Sequence, residues 1–298
     1  MSGVVNSGAR IVSAVGTLLG GLALASLAGA QTAADLAGQP AGEIERAPDG
    51  RPRLDGIWQA LVPANWDIRP HAARAGPMDE LGARDAAPPG LGIVVGGEIP
   101  YQDWALEQQR DNQADTLARD PEVKCYMPGV PRATYMPQPF QIFQTEELLV
   151  IAYQYANSVR TIHLDDPGPA PTSFWMGWSV GDWDGDTLVV DVSRQKADTW
   201  FDRAGNFHGA DLHVTERYTL LGPNHMQYEA TIEDPEVFTR PWTVSFPLYR
   251  RIEANAELLE FKCIPFAEEL IYGHLRQAQP AEAGADTGEA DGSSSAAD

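Results

Sequence analysis

Gly177 to Ser193 reads GWSVGDWDGDTLVVDVS. Two runs of alternating character, GWSVGDW and DTLVVDVS, flank Asp184-Gly185, a dipeptide suited to a two-residue turn with positive φ at both positions. Period-two alternation on either side of such a turn marks two half-buried strands of a hairpin. The same pattern recurs along most of the chain. FQIFQ (140–144), LLVIAYQY (148–155) and VRTIHLD (159–165) read as three strands separated by Thr-Glu-Glu and Ala-Asn-Ser. LHVTERYTL (212–220) and HMQYEATIED (225–234) flank Leu-Gly-Pro-Asn, a second hairpin. WTVSFPLYRR (242–251), ELLEFKC (257–263) and an early LDGIWQA (54–60) complete nine or ten short strands.

Strands joined mostly by tight turns avoid open edges most simply by closing on themselves. The expected fold is all-β: an antiparallel up-and-down, lipocalin-like barrel of eight to ten strands. A two-sheet sandwich satisfies the same alternation. Gly56-Ile57-Trp58 resembles a lipocalin opening, a short match. Residues 63–98 are rich in Pro and Gly and form an irregular wrap. IPYQDWALEQQRDNQADTLA (99–118) lacks Pro and Gly after Pro100 and has helix-forming composition, predicting one short helix outside the barrel or across one end. DPEVKCYMPGVPRATYMPQPF (120–140) holds five prolines and is irregular.

Residues 11–27 are apolar and small, follow Arg10, and lead into Ala28-Gly29-Ala30. That is the pattern of a cleaved signal peptide over residues 1–30, with an uncleaved anchor as the alternative. Residues 31–53 then read as linker, 54–276 as one β-barrel domain, and 277–298 as a disordered tail with five acids and no base. The expected location is periplasmic or secreted, with no membrane span after cleavage. The chain carries a formal net charge of −21. Such acidity argues against nucleic acid as a partner, because phosphates call for Lys and Arg. Nothing in the sequence fixes an oligomeric state. Two cysteines, Cys125 and Cys263, predict a disulfide in an exported protein; a catalytic thiol is the alternative.

CYMPGVPR (125–132), WDGDTLVVD (183–191), TWFDRAGNFH (199–208), LHVTERY (212–218) and YEATIEDPEVFTRPW (228–242) together resemble a family of secreted bacterial β proteins. The resemblance covers roughly residues 99–273. It implies a single secreted β domain; the family has no assigned activity, so no catalytic residue is carried over.

Thr199 to Tyr218 concentrates chemistry-bearing residues. His208 and His213 stand with Asp202, Asp211, Glu216, Arg203, Arg217, Trp200 and Tyr218. A turn-rich half runs into a strand, and loops at the mouth of a β scaffold commonly carry function. Parity puts Leu212, Val214, Glu216, Tyr218 and Leu220 on one face, and His213, Thr215, Arg217 and Thr219 on the other. If the first face is inward, Glu216 is a buried carboxylate needing a cation, and Arg160, sharing a face with Ile162 and Leu164, is the expected partner. That pair is either structural or, with Tyr153, part of a ligand cavity. If the second face is inward, His213 and Arg217 line the cavity instead.

The His208/His213 gap matches no standard zinc spacing, and Asp182 to Asp186 departs from the EF-hand register at two positions. A solvated Asp-Gly turn is the plainer reading of the latter; a loose calcium site is the sharper one. No P-loop, dinucleotide fingerprint or Gly-x-Ser-x-Gly elbow appears, so no cofactor is expected. The functional expectation is a cofactor-independent acid/base enzyme of lyase, isomerase, cyclase or hydratase type. It would act on a small, largely apolar compound in the barrel cavity. His208 or His213 would be the acid/base and Asp202 its orienting group. Arg160, Tyr153, Glu216, Arg217, Tyr218 and Trp200 would be available to hold the substrate. The alternative is a non-catalytic carrier of a small hydrophobic molecule.

Overall fold

A computed structural model describes residues 42–76, 86–272 and 274. The expected leader and acidic tail lie outside these residues. Nine strands form a closed barrel in chain order: β1 (Gly56–Ala60), β2 (Phe140–Gln144), β3 (Leu148–Tyr153), β4 (Val159–His163), β5 (Trp178–Asp184), β6 (Thr187–Ser193), β7 (His213–Gly222), β8 (His225–Glu233) and β9 (Trp242–Arg250). Closure rests on the short β1. Gly56 to Trp58 pair with β2, while Trp58 to Ala60 pair with β9. Every strand of the barrel thereby has a paired neighbour on both sides, which a sandwich would not achieve.

The alternation seen in the sequence becomes an inward and an outward row. On β7, Val214, Glu216 and Tyr218 point in and are 0–1 % exposed, while His213, Thr215 and Arg217 lie on the outer, partly exposed face. Tyr228, Ala230 and Ile232 of β8 and Val244, Phe246 and Leu248 of β9 are buried in the same way. Side chains therefore fill the lumen at these positions, each large apolar one contributing about 1.5–3 kcal/mol relative to exposure. Trp58 is buried as well; its indole N–H donates to Leu54 O at 2.9 Å and the Arg250 guanidinium lies 4.3 Å from its ring centroid.

Three details differ from the reading of the sequence. The β4–β5 pair is parallel, because residues 164–177, with three prolines, carry the chain across before β5 begins. The hairpin turn of β5–β6 is Gly185-Asp186, one residue later than expected. Of the two only Gly185 has positive φ (62°), the arrangement of turns that need glycine at the first central position. ELLEFKC (257–263) is not a strand. With β9 already paired to β1 and β8, the sheet has no edge left to receive it.

That segment instead runs along the outside. Leu259 N donates to Gln154 Oε1 at 3.0 Å, Asn157 Nδ2 to Phe261 O at 2.8 Å, and Phe266 N to Val123 O at 2.8 Å. The expected disulfide, Cys125–Cys263, is formed, and fastens this segment to the proline-rich loop. Among the described residues the α-helices are α1 (Asp103–Ala114) and the short α2 (Thr116–Arg119) and α3 (Ala267–Tyr272). α1 buries Ala105, Gln109 and Asn112 against the turn at 202–207. Residues 42–53, read as linker, make contacts both local and distant: Arg46 bridges to Pro52 and forms two hydrogen bonds to Asp186 in the β5–β6 turn, at 2.8 and 2.7 Å.

Candidate functional site

The turn carrying Asp202 and His208 is buried except at Arg203. Asp202 accepts four N–H bonds: from Ala204 and Asn206 backbones at 2.9 and 3.1 Å, from Ile68 at 2.8 Å, and from Asn206 Nδ2 at 2.6 Å. Burial and then the Asp67 carboxylate push its pKa up to about 7, against the pull of these donors. The carboxylate is a structural hub joining the wrap at Ile68 to the loop, and its oxygens face protein. Gly205 belongs to the same unit. Its φ is 81°, and a Cβ there would sit 2.8 Å from Asn112 Cβ, so α1 packs where only glycine fits.

His208 is 2 % exposed. Its Nδ1 donates to Gly209 O at 2.8 Å, which makes Nε2 the acceptor for Thr199 Oγ1 at 2.7 Å. Burial lowers its pKa, holding the ring neutral. His208 is thus saturated by protein partners. His213 lies on the barrel's outer face, 2.6 Å from Asp191, and that hydrogen bond raises its pKa. His208 thus sits in the buried turn before β7 and His213 on the outer face of that strand, and Asp202 hydrogen-bonds neither. Arg217, also outside, donates to Asp184 at 3.0 Å. Asp184 and Asp186 are each engaged by an arginine, and among the described residues no three of His, Cys, Asp and Glu converge as a metal site. Trp200 bridges to Phe207 and packs at the edge of the core.

The inward face carries the expected pair. Arg160 and Glu216 meet through two guanidinium–carboxylate bonds, one of 3.1 Å, both residues at most 2 % exposed. Arg160 Nε donates to Ser179 Oγ at 2.8 Å; Tyr218 and Tyr228 hydroxyls donate to Glu216 Oε1 at 2.9 and 2.7 Å. Burial raises the pKa of Tyr153, Tyr218 and Tyr228. Each charge has its partners in the lumen, so this is a closed ion pair of the core.

The open space lies elsewhere. A half-open cleft of about 490 Å³ sits between the proline-rich loop, the wrap and the segment 261–267. Its volume is in the range of small-molecule sites. Trp66, Tyr155, Phe261 and Phe266 supply aromatic wall; Tyr155 and Phe261 stand 4.8 Å apart between centroids. The floor is charged. Glu122 takes Arg203 on both oxygens, at 2.6 and 2.7 Å, and Arg132 at 2.8 Å. Arg132 also holds Asp120 at 3.1 Å and Asn65 Oδ1 at 2.8 Å. Burial works to raise the Glu122 pKa, but the guanidiniums of Arg203 and Arg132 outweigh it and hold it at about 2. Arg203 lies 5.4 Å from the centroid of Trp66.

Of the residues singled out from sequence as candidate site or disulfide positions, only Cys263 lines this cleft. Arg203 lay within the quoted stretch without a role. Glu122, Asp120 and Arg132 sat in the five-proline segment read only as irregular, yet charges held between prolines in a disulfide-anchored loop were the available signal. Trp66, Arg74 and the Phe261–Phe266 wall carried no sequence signal of convergence.

Comparison with protein-family models, curated proteins and solved structures returned no match to this chain. Fold and site together define a closed nine-stranded barrel with a core-filled wall region and a small-molecule-sized cleft on its outside.

Proposed function

We propose that this protein is an exported, periplasmic or secreted binding protein for a small aromatic or otherwise apolar molecule, held in the external cleft. The observation that carries the reading is the cleft itself: about 490 Å³, with aromatic walls over a floor whose charges are locked. Glu122 is held ionised down to about pH 2 and burdened by two arginines, so it is poorly suited to exchange protons near neutrality. Acid/base chemistry of the lyase or isomerase kind draws its support from His208, His213 and Asp202, none of which lines the cleft. Binding without turnover is therefore the better-supported class. CYMPGVPR and TWFDRAGNFH supply Arg132 and Arg203 to the charged network under the cleft.

The test is native mass spectrometry of the protein purified from its own secretion route, alongside Ala75→Trp. Ala75 is an exposed cleft residue, so the indole fills the space without disturbing the core. The reading predicts a retained small molecule in the parent that is absent from the variant. Equal retention in both would overturn it.

A further inference from the structure

We infer that the ligand of this cleft is an anion: an aromatic or apolar skeleton bearing one carboxylate. The inference rests on the cleft reading above and deepens it through charge. Three cations, Arg74, Arg203 and Lys262, line the cleft with two carboxylates, Asp120 and Glu122; beneath them Arg132 adds a further positive charge, and the charge of Asp67, near Arg74, is matched by Arg69. The site is thus locally positive in a chain whose net charge is −21. Both carboxylates are consumed. Arg203 occupies the two oxygens of Glu122, and Arg132 lies between Glu122 and Asp120, so neither acid is left to receive a cationic ligand.

The rim cations are placed differently. Arg74 reaches Asp67 only at 4.0 Å, and Asp67 is already held by Arg69 at 3.2 Å. Lys262 is exposed and makes no ion pair among the described residues. Residues flanking the lysine supply the wall: Phe261 on one side, Cys263, in its disulfide to Cys125, on the other. An aromatic acid entering between Trp66 and Phe261 would set its ring on these walls and its carboxylate near Arg74 and Lys262. Such bonds are charge-assisted, and at exposed side chains they are strongest at low salt. A compound without the charge would gain the aromatic contact alone.

The experiment is isothermal titration calorimetry on the full chain at low salt with 2-naphthoate and its neutral counterpart 2-naphthamide. The parent protein should bind naphthoate at least tenfold more tightly than the amide. Lys262→Met and Arg74→Met should each weaken naphthoate about five- to tenfold and leave the amide within twofold; both side chains are exposed, and melting curves verify that the variants fold. Amide binding as tight as naphthoate, abolished by Ala75→Trp, would overturn the anion assignment while leaving the cleft reading standing. No binding of either compound, or naphthoate binding unaffected by Ala75→Trp, would overturn both.

Discussion

Glu216→Gln is the sharpest probe of what the lumen network does. Glutamine keeps the shape and a carbonyl oxygen for the Tyr218 and Tyr228 hydroxyls, which sit 2.9 and 2.7 Å from Oε1. It removes the carboxylate that, among the described residues, is bonded to Arg160, whose side chain is 1 % exposed. An arginine cannot shed its proton, so its charge stays buried with neutral acceptors alone, Ser179 Oγ and the retained Oε1. Breaking a buried pair from one side typically costs about 3–5 kcal/mol. In a domain of this size that lowers the melting midpoint by roughly 6–20 °C. Arg160→Met should cost a similar amount. The double variant Arg160→Met/Glu216→Gln buries no charge and keeps an acceptor for both tyrosines. It loses mainly the partner of Ser179, about 1–3 kcal/mol, and should be more stable than either single variant. Urea unfolding of the four proteins, with slopes compared to verify two-state behaviour, closes the cycle. A double variant destabilised by the sum of the two singles would refute the reasoning, because it would mean the charges act independently.

The remaining predictions concern the outer elements. Glu122→Gln should destabilise by on the order of 2–3 kcal/mol at neutral pH, from a carboxylate held at about 2 against its ordinary 4.5. Because the folded pKa is depressed, that contribution is present above about 4.5 and fades as pH falls toward 2, so parent and variant stabilities should converge in acid melts. His208 has a lowered pKa in the fold, so the unfolded chain binds its proton more readily and the parent loses stability as pH falls through 6.5. The stability difference between parent and His208→Gln should shrink over pH 7 to 5, a comparison in which His213 cancels. Gly205→Ala meets both a φ of 81° and the Asn112 Cβ at 2.8 Å; it should cost upward of about 2 kcal/mol by thermal melting, well beyond a surface alanine. Cys125→Ser/Cys263→Ser opens a loop spanning 138 residues, worth about 4–5 kcal/mol on the chain-entropy account, and should also loosen the 261–267 wall and weaken ligand binding.

Much of the barrel was legible because a strand's faces obey parity. Leu212 to Leu220 alone showed that a carboxylate at 216 shares its face with Val214 and Tyr218, and the same count placed Arg160 with Ile162. Burial of that face then required the pairing found in the lumen. Parity could not show that β4 and β5 run parallel, since it is blind to how a loop such as 164–177 crosses. It also promoted ELLEFKC to a strand. Alternation there is real, but pairing depends on a free edge, and closure of β1 on β9 is a property of the whole sheet. The cleft was less legible still. Its parts come from residues 66–75, 87, 113–123, 155, 203 and 261–267, brought together by irregular backbone that follows no period. His208 and Asp202 drew attention as ionisable groups, although their neighbours in sequence, Asn206 and Gly209, were already supplying the partners that occupy them.

The two charged networks differ in a way that bears on where function can sit. Arg160 and Glu216 are enclosed, each satisfied by lumen groups, and a ligand could reach them only by opening the barrel wall. Glu122 and Arg203 are matched as closely, yet Arg203 keeps 42 % of its side chain exposed and stands beside Trp66 at a cleft. Exposure on one side of a fixed ion pair leaves guanidinium hydrogens free to meet a ligand while the carboxylate prevents the arginine from moving. A preorganised cation of that kind costs little conformational entropy on binding. If the cleft were merely a gap between the wrap and the disulfide-bonded segment, Arg203→Lys, which keeps the charge but loses the fork that grips Glu122, would change stability alone. As a binding floor, it should weaken naphthoate about tenfold with the melting midpoint lowered by only a few degrees, since the Glu122–Arg132 bond persists. Unchanged affinity in calorimetry with a lowered midpoint would assign Arg203 to the scaffold.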